Sequence, residues 1–247
     1  MSTTLITGAS SGLGAEMARQ LAARGHDLAL CARRTDRLAE LATEITTAHP
    51  DRRVVVKALD VTDHDAVFRV FDEFRDELGG IDRVVVNAGL GKGQPLGTGR
   101  FDANRQTAET NVIGALAQTE AAAAIFRAQS SGHLVLVSSF SALRGMPGNI
   151  TTYAATKAAV AHLAEGFRAD VHGTPIKVTV LYPGYIVSEM SGTSARTPLM
   201  TSTEKGVRAM VEAIEKEKKS AVVPAWPWVP LGFVVKRVPV GLLRRMA

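Results

Sequence analysis

Thr3-Thr4-Leu5-Ile6-Thr7-Gly8-Ala9-Ser10-Ser11-Gly12-Leu13-Gly14 is the stretch from which the rest of this 247-residue chain can be read. A short β-favouring run stops at Gly8, and a helical pattern follows from about Gly12 to Arg24. Met17, Leu21 and several alanines share one face of that helix, and Gly25 stops it. Gly8 permits a tight turn, while Gly12 and Gly14 let backbone approach a pyrophosphate and the strand. Free N–H groups of the Ser10-Ser11-Gly12-Leu13 turn favour phosphate charge at the helix start. A glycine cluster can equally be a plain turn. Its place between a strand and a helix favours dinucleotide binding.

The same alternation continues outward. Strands are expected at Asp27–Ala32, Val54–Leu59, Ile81–Val86, Leu134–Val137, Lys177–Tyr182 and Ala221–Val223. Helices are expected between them: Thr35–Ala48, a segment capped by Thr62 and ended by Gly79-Gly80, a long Ala-rich helix Asn104–Ala128, one around Tyr153–Val171, and one at Glu204–Lys218. Continuous Val/Ile/Leu strands separated by helices imply a parallel sheet covered on both faces. The expected fold is therefore α/β, a Rossmann-like doubly wound sheet in a single domain over residues 1–223. Ligands should bind at the carboxyl ends of the strands.

Composition agrees with a globular chain: 46% hydrophobic and 21% charged residues, with aromatics at only 5%, so Ala, Val and Leu must build the core. One cysteine, Cys31, allows no intrachain disulfide and reads as a small core residue, in keeping with a reducing cytoplasm. No secretory leader and no membrane-spanning apolar run is read in the sequence. The net charge of +5 is concentrated in the tail, where Lys236, Arg237, Arg244 and Arg245 stand without an acid from Ser220 onward. A basic face for nucleic acid is not indicated.

At the end of the second strand an acid would accept from a free ribose 2′-hydroxyl. This chain instead has Ala32-Arg33-Arg34. An arginine fork can hold a 2′-phosphate, favouring NADP(H), with Arg33 ahead of Arg34. The competing reading is a solvated pair. Asp60 and Val61, after the third strand, lie where an adenine ring would end, although Asp60 could instead cap the next helix. Asn87-Ala88-Gly89 ends the fourth strand on the same edge, where Asn87 could also merely make a turn.

Tyr153 and Lys157 are four residues apart and share a helix face, Ser139 ends the fifth strand, and Asn111 lies in the long helix. A phenol near pKa 10 is a poor acid/base around neutrality, and a neighbouring ammonium should favour the phenolate. Thr7-Gly-x-x-x-Gly-x-Gly14, Asn87-Ala-Gly89, Asn111, Ser139, Tyr153-x-x-x-Lys157 and Pro183-Gly184, in that order, resemble the short-chain dehydrogenase/reductase family to about Val223. The resemblance implies that Tyr153 protonates a carbonyl oxygen or deprotonates the alcohol, and that Ser139 polarises that oxygen. It also implies that Lys157 binds the nicotinamide ribose and lowers the Tyr153 pKa, and that Asn111 holds a water of a proton relay. Pro183, Gly184, Ile186 and Ser188 resemble the stretch contacting the carboxamide end of the nicotinamide. Ser139 and Tyr153 are 14 positions apart, one more than is usual, and Ser188 stands where the family often has threonine. The extra residue should be absorbed between Pro147 and Tyr153; Ser138 and Ser141 are weaker candidates for the Ser139 role.

Substrate specificity is expected from Leu90–Phe101, Phe140–Ile150 and Tyr185–Met200. Leu143, Met146, Ile150, Tyr185, Met190 and Met200 give these an apolar bias and suggest a lipophilic ketone or alcohol. The same groups could instead pack loops or an interface. Residues 224–247, with Trp226 and Trp228, could pack over the site, against a subunit, or on a membrane surface. His133, His162 and His172 show no metal-ligand pattern, and no metal is expected. The resemblance implies a homodimer or homotetramer through the helices of Asn111 and Tyr153. Three functions follow: a carbonyl reductase with its reverse reaction, a hydride-transfer epimerase, or a nucleotide sensor on an inactive scaffold.

Overall fold

The computed structural model describes residues 2–189 and 199–243. Among them, seven strands form one parallel sheet in the order β3-β2-β1-β4-β5-β6-β7. They are β1 Thr3–Thr7, β2 Asp27–Ala32, β3 Val54–Ala58, β4 Arg83–Val86, β5 Gly132–Val137, β6 Ile176–Pro183 and β7 Ser220–Val223. The helices are α1 Gly12–Ala22, α2 Thr35–Ala48, α3 His64–Leu78, α4 Phe101–Ala108, α5 Gly114–Gln129, α6 Thr151–Asp170, α7 Thr203–Glu215, α8 Ala225–Val235 and a short α9, Val240–Leu243.

Alternation along each strand divides the core into two layers. Leu5, Ala29, Cys31, Val84, Val86, Leu134 and Leu136 face α3, α5 and α6, where Phe71, Phe74 and Phe126 are fully buried. Ile6, Leu28, Leu30, Val85 and Val135 face α1, α2 and α7, against Met17, Leu38, Met210 and Ile214. Each fully buried side chain of this size stabilises the fold by about 1.5–3 kcal/mol. Because both faces are buried, the strands read as unbroken apolar runs. The chain adds strands outward from β1 to β3, then returns to β4 on the other side of β1. That reversal opens a crevice at the carboxyl ends of β1 and β4.

Several expectations are corrected. Asp63, not Thr62, caps α3, accepting from the Ala66 N–H at 3.1 Å, while Thr62 donates its hydroxyl to Asp60 at 2.9 Å. Asp60 thus makes a local turn and does not cap the helix. The long Ala-rich helix begins earlier, at Phe101, and a π-helical turn at Glu109–Ile113 divides it into α4 and α5. α7 ends at Glu215, three residues early, and a turn with Glu217 at φ 46° leads into β7. In the tail, Trp226 is extended (φ −98°, ψ 133°), so the helix proper starts at Pro227, and Pro230 falls in its first turn. α8 ends before Pro239, which separates it from α9.

Candidate active site

Gly8, with φ 64°, turns the chain out of β1 beneath the Asn87-Ala88 backbone; a Cβ there would stand 2.9 Å from the Ala88 Cα. Gly14 lies against the Gly8 carbonyl oxygen, where a side chain would collide. Gly12, with φ 54°, faces the open cleft, its nearest would-be neighbour being the Ser188 Cβ at 3.5 Å. Two glycines therefore seat α1 on the strand ends and the third presents bare backbone to a ligand. Buried Thr7 ties the loop to β4, accepting from the Asn87 and Ala88 N–H groups at 3.1 Å each. Asn87 returns a bond from Nδ2 to the Thr7 carbonyl at 2.9 Å, which makes it a clamp rather than a simple turn. In the sequence Thr7 stood only as the first residue of the glycine motif; its tethering role depends on β4, which is 80 residues away.

The cleft above these strand ends has a volume of about 940 Å³. At one end it is lined by Gly8, Ser10, Ser11, Gly12, Leu13, Arg33, Arg34, Asp60, Val61, Asn87, Ala88 and Gly89. Arg33 is 72% exposed, 3.8 Å from Asp60, whereas Arg34 folds back over the glycine loop and donates to the hydroxyls of Ser11 (2.6 Å) and Ser10 (3.3 Å). Arg34 is thus the better anchored of the two within the chain itself.

Mid-cleft, Ser139, Tyr153 and Lys157 converge. Ser139 leads into a 3₁₀ turn, Phe140–Leu143, and its Oγ accepts from the Ser141 N–H at 3.2 Å. The Tyr153 hydroxyl is hydrogen-bonded to the Ser139 side chain, so the extra loop residue is absorbed, with a second 3₁₀ turn at Gly148–Ile150. Ser138 points to α6 and donates to the Lys157 carbonyl at 2.7 Å. Lys157 is buried; its ammonium donates to the Val137 carbonyl at 2.8 Å and lies 5.8 Å from the Tyr153 ring centroid. Burial lowers the Lys157 pKa to about 8. Burial also raises the Tyr153 phenol, partly offset by its bond to Ser139. The expected lowering of Tyr153 by Lys157 is therefore absent from the chain by itself: low dielectric disfavours both charged forms.

Asn111 sits in the π turn, buried. Its Oδ1 accepts from the Leu90 N–H at 2.7 Å, and its Nδ2 donates to the Leu90 carbonyl (2.9 Å) and the Thr156 hydroxyl (3.1 Å). The amide is thereby engaged with protein groups on both its oxygen and its nitrogen. It fixes the segment after Gly89, whose added Cβ would stand 3.3 Å from the Lys157 Nζ and 3.4 Å from the Asn111 Oδ1. Thr156, which also donates to the Tyr153 carbonyl at 2.7 Å, joins these elements and was not singled out in the sequence.

The far end is apolar: Phe140, Met146, Ile150, Tyr185, Leu199, Met200, Trp228, Leu231 and Val235 line it, with Pro183, Gly184, Ile186 and Ser188 along the β6 side. Of Leu90–Phe101 only Gly91 lines the cleft, and Phe101 is exposed. Leu143 packs behind it, next to Gly232. Met190 lies outside the described residues, as do Arg244 and Arg245. The tail thus covers the site, one of the three arrangements open from sequence. Trp228, 2% exposed, stacks edge-on between Phe140 (4.8 Å) and Tyr185 (5.0 Å), over Gly184. Arg144 holds the end of α8, donating to the carbonyls of Val235 and Lys236 at 3.0 Å each. The outer face of the tail leaves Trp226, Phe233 and Val240 exposed. Among the described residues no helix is long and apolar enough to cross a membrane.

Comparison with known proteins agrees with this arrangement. The family model described as short chain dehydrogenase matches residues 2–199. An uncharacterized oxidoreductase of Mycobacterium tuberculosis is 55% identical over 98% of this chain and 96% of its own length. Among solved structures, a short-chain type dehydrogenase/reductase from Mycobacterium marinum is 28% identical with a TM-score of 0.82, covering 90% of this chain and 93% of that one. An alcohol dehydrogenase from the archaeon Thermococcus sibiricus, complexed with 5-hydroxy-NADP, is 26% identical with a TM-score of 0.81, covering 90% and 95%. Fold, strand-end glycines and matched length lead to one assignment: the chain is an oxidoreductase belonging to the short-chain dehydrogenase/reductase family.

Proposed function

We propose that the chain is an NADP(H)-dependent oxidoreductase that interconverts a ketone and a secondary alcohol, with Tyr153 as its acid/base. The observation that carries this reading is the buried Ser139–Tyr153 hydrogen bond beside the Lys157 ammonium, at the carboxyl edge of the sheet. The cleft fits a dinucleotide: Gly12 offers bare backbone at the start of α1, and Arg33 and Arg34 stand at the end of β2. The archaeal relative bound to an NADP derivative supports the phosphorylated cofactor. When bound, NADP(H) supplies or accepts the hydride.

The protein's own groups handle the proton. Burial keeps the Tyr153 phenol protonated, which is the form needed to give a proton to the oxygen of a ketone as it is reduced. Ser139, braced by the Ser141 N–H, orients that oxygen. Lys157 holds the ribose and, as an ammonium, stabilises the phenolate left after proton transfer. Asn111 and Thr156 act as positioning residues that hold the Gly89–Leu90 segment and α6 at fixed separation. Alcohol oxidation requires the phenolate first, so the environment favours reduction. The apolar end around Trp228 selects a lipophilic ketone by excluding water from a surface with few polar partners.

The test is a reductase assay with NADPH against ketones graded by chain length, run beside Tyr153→Phe. Turnover is expected to rise with apolar chain length and to fall by about 10²–10⁴-fold in the variant, which retains NADPH binding. Tight NADPH binding with no turnover across the panel would instead establish a nucleotide sensor.

A further inference from the structure

Glu189 carries its carboxylate to the start of α1, where its partners among the described residues are two guanidinium groups and a hydroxyl. One oxygen accepts from the Arg34 Nη1 at 3.0 Å and the other from Arg37 Nη1. The Ser11 hydroxyl is a third partner. Arg34 in turn is braced by Ser10 and Ser11, so the guanidinium is already oriented toward the anion. Arg37, then Ser11 and Arg34, hold the Glu189 carboxyl down at about 2, so it is ionised throughout the working pH range. Two guanidinium forks, a serine hydroxyl and a helix N-terminus are the surroundings that recognise a phosphate.

The position matters as much as the chemistry. Arg34 ends the β2 turn and Arg37 lies in the first turn of α2, beside the place where a bound dinucleotide presents its adenosine ribose. Glu189 reaches there from the opposite side of the cleft, one residue beyond Ser188. An acidic side chain from the β6 side is thus paired with Arg34, one of the two arginines read at the end of β2, and with Arg37 one turn further on.

We propose that the Glu189 carboxylate is an internal stand-in for the cofactor's 2′-phosphate, competing with it for Arg34 and Arg37, and that Arg37 is a phosphate ligand in the loaded enzyme. The inference rests on the NADP(H) reading above. A phosphate brings more charge and a third acceptor oxygen, so it displaces the carboxylate at the expense of two exposed ion pairs. Such exposed pairs are weak and easily exchanged, which keeps the effect modest. NADH has no group to make the exchange.

The test is equilibrium binding of NADPH and NADH to the full chain and its variants, with melting temperature as the check on folding. Glu189→Gln is expected to tighten NADPH by about three- to tenfold while NADH changes less than twofold. Arg37→Ala is expected to weaken NADPH more than NADH, and Glu189→Gln should tighten NADPH less when Arg37 is already Ala. Adenosine 2′,5′-bisphosphate should follow NADPH, and adenosine 5′-monophosphate should follow NADH. Weaker NADPH binding by Glu189→Gln would make the carboxylate a clasp and overturn the proposal. Equal tightening of both dinucleotides, or no change, would overturn it as well. Failure of the underlying cofactor reading looks different: the wild type would bind NADH as tightly as NADPH, and Arg34→Ala would alter neither.

Discussion

Lys157 shows how a single buried cation sets the chemistry and stability around it. The unfolded chain holds that proton up to the ordinary lysine value of 10.5, whereas burial releases it near 8 in the folded state. Between those values the unfolded state binds more protons, so this group's contribution to stability improves as pH rises. Below pH 8 the folded protein carries the cost of an ammonium in low dielectric, eased by the Val137 carbonyl. Wild type is therefore expected to gain stability relative to Lys157→Met between pH 7 and pH 10, measured as the gap between their urea midpoints. A constant gap would mean that the ammonium is solvated. Its spacing from Tyr153 could be read from the sequence because a helix repeats every 3.6 residues. The opposite pKa shifts could not, because burial is not local.

At the scale of elements, the active-site roof is built from parts far apart in the chain. α8 presses Trp228 between Phe140 and Tyr185, which come from the turns after β5 and β6. Trp228→Ala is expected to cost about 3–5 kcal/mol where the roof docks, loosening α8 without unfolding the sheet. The readout is a ketone KM raised severalfold while the NADPH dissociation constant moves little. Equal changes in both would place Trp228 in the cofactor site instead. The sequence showed an apolar, aromatic tail with three possible resting places. It could not choose among them, since an apolar helix face is satisfied by any apolar partner.

For the whole molecule, the sheet joins two ligand ends that no single segment contains. A dinucleotide reaching from Arg33 to Lys157 touches the ends of β1 to β6, so binding should stabilise the entire domain. At 100 times its dissociation constant, NADPH is expected to add about 2.7 kcal/mol, raising the melting temperature by about 5–10 °C. Arg34→Ala should lose most of that shift at the same NADPH concentration, as read by differential scanning fluorimetry. An unchanged shift would remove Arg34 from the cofactor site.

The order of strands and helices, the strand-end glycines and the Tyr153/Lys157 pair were determined by the sequence itself. Each depends on a local period or on the steric freedom of one residue, which neighbours in sequence largely decide. Tertiary structure decided the rest: Glu189 across the cleft on Arg34 and Arg37, Asn111 closed on Leu90 and Thr156, and Trp228 over Gly184. Those contacts join residues brought near only after the sheet has formed. Their strength comes from excluded water and matched geometry, which a linear pattern does not carry.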